Sequence, residues 1–272
     1  MNLKNSIRIF KKDWKLSVRK KEILLPMLIL PLAFAVLMPI LMLSFVLMDP
    51  SEFFSDFPFA DLQQLIDLLN IPPSYSEILI AATLMIRMMV LPFFLFVPGI
   101  LPTLIASDSF AGEKERKTME SLLLLPVTKT ELIIGKTLAS LVPSLVVNLV
   151  VFLLLGVSIN LMFLAELNGE ILIFGDLTFL LSVLLIAPLL AFLNILVSTI
   201  VSSRTKDLKS AQSINGSLIV PIIAILFIQM FNPAFLSPIS ILIIAGILGG
   251  LDILLIDLAY RLLDTEKLIL LL

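Results

Sequence analysis

The stretch FAGEKERKTMESLLLLPVTKTELIIGKT, residues 110–137, places nine charged side chains between two long apolar runs. A helix crossing a bilayer does not carry charge at that density, so the stretch lies outside the hydrocarbon and its flanks are the candidates for spans. The composition agrees: 59% of the 272 residues are apolar and the mean hydropathy is +1.12, against roughly 45–50% apolar for a soluble domain. Runs long enough to cross about 30 Å at 1.5 Å per residue occur at 23–48, 84–107, 138–164, 177–201, 214–231 and 239–260. The expectation is an all-α polytopic membrane protein with six transmembrane helices.

The placement of charge orients it. Lys4, Arg8, Lys11, Lys12, Lys15, Arg19, Lys20 and Lys21 precede the first span, and Lys114, Arg116, Lys117, Lys129 and Lys136 separate the second from the third. Arg204, Lys206 and Lys209 follow the fourth, and Arg261 and Lys267 follow the sixth. The loops 49–77 and 165–176 hold acids and no Lys or Arg. By the positive-inside rule both termini and residues 108–137 are cytoplasmic. Polar-interleaved residues precede the first apolar run, which reads as no cleaved signal peptide. A net charge of -2 gives no general affinity for nucleic acid. Absence of Cys and His excludes thiol chemistry, disulfides, imidazole metal sites and histidine acid/base catalysis.

Prolines inside the spans, among them Pro31, Pro39, Pro92, Pro98, Pro143 and Pro188, predict bent helices in a packed bundle. Ahead of span 1, Leu3, Ile7, Phe10, Trp14 and Val18 recur every three or four residues beside a basic face, the pattern of an amphipathic helix in the membrane interface over residues 1–22. Such a helix either anchors the topology or also touches a cytoplasmic partner. Leu62, Leu65, Ile66 and Leu69 form a shorter stripe behind Asp61, and Ser74 with Glu77 has capping-box spacing.

The terminal GKT of the opening stretch is not the end of a phosphate-binding loop. That loop needs a glycine five residues before Gly135, where Thr130 stands. Thr128 and Glu131 instead form a capping box that starts span 3, with Gly135 a small residue in the helix and Lys136 a cytoplasmic flank. Upstream, Glu113, Arg116, Lys117 and Glu120 fall within one to two helical turns, and Leu122–Leu125 give an apolar cluster that lipid or another protein must cover.

The run GEKERKTMESLLLLPVTKTELIIGK resembles the cytoplasmic loop of the type-2 ABC exporter permeases, whose pattern is approximately (G)ExERGTLExLLxxPVxxxEIxxGK. Glu113, Glu115, Arg116, Thr118, Glu120, Leu122, Leu123, Pro126, Val127, Glu131, Gly135 and Lys136 match, while Lys117 and Met119 depart from it. The SSRTKDLKSAQ loop and the terminal RLLDTEK agree more loosely. The resemblance implies one permease domain over 1–272 of the type V exporter architecture. Residues 108–136 would be a coupling helix docked on a separate ABC ATP-binding subunit, with Arg204, Lys206 and Asp207 in a second contact. It also implies that ATP and Mg are bound by that partner, with no cofactor in this chain, and that a second permease subunit completes a dimer in the plasma membrane. Many members carry re-entrant helices between spans 5 and 6, where this chain has only FNPAFLSP.

Charges inside the spans are few. Arg87, about 31 Å of helix from Asp108, is expected to snorkel to the outer interface. Asp257 and Arg261 have ion-pair spacing. Asp252 falls near mid-bilayer, where a carboxylate costs on the order of 2.5–3.5 kcal/mol. It is the candidate for an ion or polar-substrate path, against a structural acid that is protonated or hydrogen-bonded, and Asn148, Asn160, Asn194 and Gln229 are either its partners or simple interhelical contacts. The Gly246/Gly250 pair suits interhelical packing. An intramembrane enzyme lacks its motifs: GGLD at 249–252 is not GxGD, and neither HExxH nor GxSxG occurs. An ion-gradient transporter using Asp252 and a non-transporting scaffold are the other readings.

Overall fold

A computed structural model describes residues 3–49, 62–116, 127–167, 169–205, 208–217 and 237–262, with single residues at 220, 224, 228 and 235. The described chain is helical: α1 (Leu3–Arg19), α2 (Lys21–Met48), α3 (Leu62–Leu68), α4 (Glu77–Glu115) and α5 (Lys129–Met162). There follow α6 (Leu172–Gly175), α7 (Leu177–Arg204), α8 (Leu208–Gly216) and α9 (Pro238–Leu262). Among them α2, α4, α5, α7 and α9 are long and apolar enough to cross a membrane, which makes five described spans. The expected span 214–231 begins within the end of α8 and lies mostly outside the described residues.

Proline sets the shape of three spans. Pro39, Pro92 and Pro188 each stand two residues after a π-helical turn, at Ala33–Leu37, Ile86–Val90 and Ser182–Ile186. A proline lacks its N–H and presses on the carbonyl four residues back, which here belongs to Ala35, Met88 or Leu184. Widening that turn to i→i+5 bonding makes room for the ring without ending the helix. The bends expected from the sequence thus take the form of π-turns.

α4 is the central element, packed on α5, α7 and α8, whereas α9 packs chiefly on α7. Its remaining surface carries Ile239, Ile243, Ile247, Ile253 and Leu254, all exposed. The core joins at a phenylalanine cluster. Phe94 of α4 lies 5.3 Å from Phe179 of α7 and 6.4 Å from Phe152 of α5, between ring centroids. Phe152 in turn meets Phe174 of α6 edge-on at 5.3 Å, geometry that adds favourable ring electrostatics to the buried area.

The bundle has a basic end, at α1 and the adjoining ends of α4 and α5, and an acidic end, at α3, α6 and the start of α4. At the acidic end Ser76, not the expected Ser74, caps α4 by accepting from Leu79 N–H. Arg87 does not snorkel. It is largely buried, pairs with Asp176 at 2.6 Å and donates to the Leu69 carbonyl at the end of α3. The reason is local: Asp176 already caps α7, so its second oxygen is fixed where the guanidinium can reach it. Tyr75 donates to Glu170 at 3.3 Å and Ser76 to Glu166 at 3.4 Å, completing a tie between the two acidic loops. Burial and the Glu170 carboxylate raise the Tyr75 phenol above its ordinary pKa.

Candidate functional site

The opening stretch of sequence emerges at the basic end, where α4 finishes and α5 begins. Thr128 caps α5 with the reciprocal Glu131 bond expected of a capping box. Glu131 also accepts from Asn5 at 3.1 Å, so the cap is shared with α1. α1 is helical as expected, but it meets the protein through a different face. Ser6, Ile9, Asp13 and Ser17 are buried, whereas Ile7 is exposed and Phe10 and Trp14 are half-buried. Helical spacing of three and four joins the buried set into one stripe against α5. Gly135 permits this contact, because a Cβ there would come within 2.8 Å of Ile9 Cβ and 2.9 Å of the Ser6 carbonyl.

Beneath that contact lies a buried ion cluster. Lys136 has no exposed side-chain surface, and its ammonium reaches Glu113 Oε2 at 2.7 Å, Ser109 Oγ at 3.1 Å and Asp13 Oδ2 at 3.5 Å. It also donates to the Ser109 carbonyl. Lys12 pairs with the other Glu113 oxygen at 2.8 Å, and Ser109 donates to Asp13 at 2.9 Å. Two carboxylates and two ammonium groups therefore balance, and α1, α4 and α5 are held through them. Lys136, expected from the sequence as a cytoplasmic flank of span 3, is enclosed, because the first turns of α5 run beneath α1 and exclude water from it.

The same end of α4 also grips α7 and α8. Lys114 is buried and donates to the carbonyls of Ser203 at 2.6 Å, Ser202 at 3.3 Å and Thr205 at 3.4 Å, satisfying acceptors that the end of α7 leaves free. Glu115 accepts from the Leu208 N–H at 3.2 Å, at the start of α8. Deeper in, Asn215 donates to Ser107 at 2.7 Å and Ser198 at 2.8 Å, joining α8 to α4 and α7.

The exposed part of the site is an open cleft of about 580 Å³ lined by Lys20, Lys21, Glu22, Asp108, Glu115 and Arg116 among others. Asp108 holds Arg116 at 3.0 Å and is also paired with Lys20. Gly112 leaves room for the first pair, since a Cβ would lie 2.5 Å from Asp108 Oδ1 and 2.9 Å from an Arg116 nitrogen.

Of the residues singled out from the sequence, Glu115, Arg116 and Arg204 stand on the exposed surface of this end. Glu113 is 3% exposed, so its carboxylate is engaged inside the chain rather than presented outward. Thr118, Glu120, Leu122, Leu123, Pro126, Lys206 and Asp207 lie outside the described residues. Asp13, Ser109 and Lys114 were missed: one lone acid in a basic helix face was the available signal for Asp13.

Asp252 is buried and neither of its oxygens has a hydrogen-bond partner. Asn194 donates to its own helix at the Leu190 carbonyl, and Asn148 leaves a buried carbonyl oxygen unpartnered. Neither amide is hydrogen-bonded to Asp252 among the described residues, and Gln229 lies outside them. Asp257 and Arg261 do pair, at 2.8 Å on an exposed face. Asn160 bridges α5 to α6, donating to the Gly156 carbonyl and accepting from Leu172 N–H.

Neither the curated proteins nor the solved structures offer a match to this chain. The family profile described as ABC-2 family transporter protein matches residues 7–263, a range that runs from α1 through the last described span. With five apolar spans around a shared core, and a match over nearly its whole length, the chain belongs to the ABC-2 transporter family and is a membrane transport component of the permease type.

Proposed function

We propose that this chain is the permease subunit of an ABC exporter, moving substrate outward with energy from ATP hydrolysed on a separate ATP-binding subunit. ATP and Mg belong to that partner in this reading, and the chain itself carries no catalytic group. The basic end faces the cytoplasm, as the positive-inside rule requires, with the acidic loops outside and the chain in the plasma membrane. The family match supports the class of protein.

The observation that carries the coupling reading is the joining of two loops into one surface. Lys114 and Glu115, at the end of α4, bond to residues 202–205 and 208 respectively, so the stretch after α4 and the α7–α8 loop share a base. A partner pushing on either would move both. Glu113 and Lys136 serve this surface by positioning it, and Glu115, Arg116 and Arg204 are the expected contact residues that are described and exposed to a partner. A second permease subunit completes the translocation path.

The test is purification of the chain co-expressed with the ATP-binding subunit encoded beside it. A two-plus-two complex with ATPase activity that falls on reversing Arg116 is the expected result. A six-span protein that purifies stably alone, with no associated ATPase, overturns the reading. That result would favour transport driven by an ion gradient, for which the unpartnered Asp252 is the specific observation, or a non-transporting scaffold.

A further inference from the structure

We propose that the outer face of α1 is a binding surface for anionic phospholipid headgroups. The helix has three sides. Ser6, Ile9, Asp13 and Ser17 are buried, on the side that packs against α5. At about 100° per residue, Phe10, Trp14 and Ile7 make up the next side, the first two half-buried and the third exposed. Lys11, Lys15, Arg8 and Arg19 then follow within an arc of about 80°. All four are exposed, and none is in an ion pair among the described residues. The one acid of α1, Asp13, lies on the buried side, where Lys136 and Ser109 engage it.

The position of α1 decides what this face meets. Lys20 alone separates it from α2, which begins a span at Lys21. Gly135, against which Ser6 and Ile9 rest, lies in the first two turns of the span Thr130–Met162. α1 therefore sits at the level where two spans leave the hydrocarbon. An apolar side next to a basic one, held at that level, fits acyl chains and acidic headgroups together.

The neighbouring surfaces do not share this chemistry. The cleft beside Arg116 sets Lys20, Lys21 and Arg116 among Glu22, Asp108 and Glu115, so its charges balance and an anion gains little there. An acidic protein would match the basic arc of α1 but leaves the adjoining Ile7, Phe10 and Trp14 to some other cover. One anionic bilayer surface covers both sides.

Trp14 is the only tryptophan in the chain, so its fluorescence reports on this helix alone. The purified full-length chain is reconstituted in phosphatidylcholine nanodiscs without nucleotide or partner, which makes the outcome independent of the coupling reading. A small, equal mole fraction of either phosphatidylglycerol or phosphatidylcholine, brominated high on the acyl chain, is then added as quencher. The expected result is quenching that corresponds to about fivefold enrichment of the anionic lipid beside Trp14. Combining Arg8→Gln, Lys11→Gln, Lys15→Gln and Arg19→Gln leaves the buried stripe intact and should remove the preference. Equal quenching by the two lipids, or a preference unchanged in the combined variant, overturns the surface. Quenching by neither lipid also overturns it and assigns the basic arc to a protein partner. If the combined variant fails to fold, salt decides the matter on the wild-type chain. A preference that persists at high salt, where the screening length falls to about 3 Å, is not electrostatic and overturns the proposal.

Discussion

Lys136 and Glu113, 23 residues apart in sequence, meet at 2.7 Å with the lysine side chain wholly enclosed. Their pairing holds the base of the charged stretch before any partner is present. Removing Lys136 leaves Lys12 alone against the two buried carboxylates of Glu113 and Asp13, and an unbalanced buried charge typically costs about 3–5 kcal/mol. Lys136→Met is expected to lower the thermal unfolding temperature of the purified chain markedly. Adding Glu113→Gln to it should recover part of the loss, a double-mutant coupling that independent surface residues would not show.

Gly135→Leu is expected to lift α1 from α5, because even a Cβ would sit 2.8 Å from Ile9. Limited trypsin digestion reads this directly: cleavage at Lys11, Lys12 and Lys15 should accelerate severalfold while cleavage elsewhere is unchanged. Unchanged protection of α1 would mean that its attachment depends on the ion cluster alone.

Lys114→Met should remove the side-chain donor from the Ser203 and Thr205 carbonyls at the end of α7 and leave the Ser202 carbonyl only the Thr205 hydroxyl. A loss of about 1–3 kcal/mol is expected by thermal unfolding, and hydrogen exchange should rise at residues 202–208 first. Protection there equal to wild type would remove Lys114 as the link between the two loops.

At the other end, Arg87→Met should destabilise by about 3–5 kcal/mol, since Asp176 would remain buried without its cation. Asp176→Asn keeps an oxygen to cap α7 and should be milder. Comparing unfolding temperatures of the two variants and their combination separates the ion pair from the cap. A combination no more stable than Arg87→Met alone would count against the pair.

The five described spans were legible because a bilayer imposes one requirement, a long apolar run, and Lys21–Met48, Leu177–Arg204 and Pro238–Ala259 meet it almost residue for residue. The Thr128 cap was legible because its logic is local. The ion cluster was not. Charge counting treats Lys136 like every other basic residue near a span, and only the approach of α1 at Gly135 makes it a buried one. The α1 pattern likewise identified residues that share a face without saying which face meets protein, and the polar stripe of Ser6, Asp13 and Ser17 proved to be the buried one. The partner of Arg87, Asp176, is 89 residues away and depends on the tertiary fold, so its pairing was not legible along the helix.

The unbroken course of α4 from Glu77 to Glu115 has a mechanical consequence. Phe94, locked between Phe152 and Phe179, divides it into arms of about 26 Å and 32 Å, so the helix is a rocker with an aromatic fulcrum. For a rod pivoting at Phe94, a sideways push at Glu115 would return at Glu77 with reversed direction and roughly four-fifths of the amplitude, by the ratio of those arms. The π-turn at Ile86–Val90 lies on the shorter arm, so strain that the acidic end does not follow is absorbed there, at the residue pair Arg87 and Asp176.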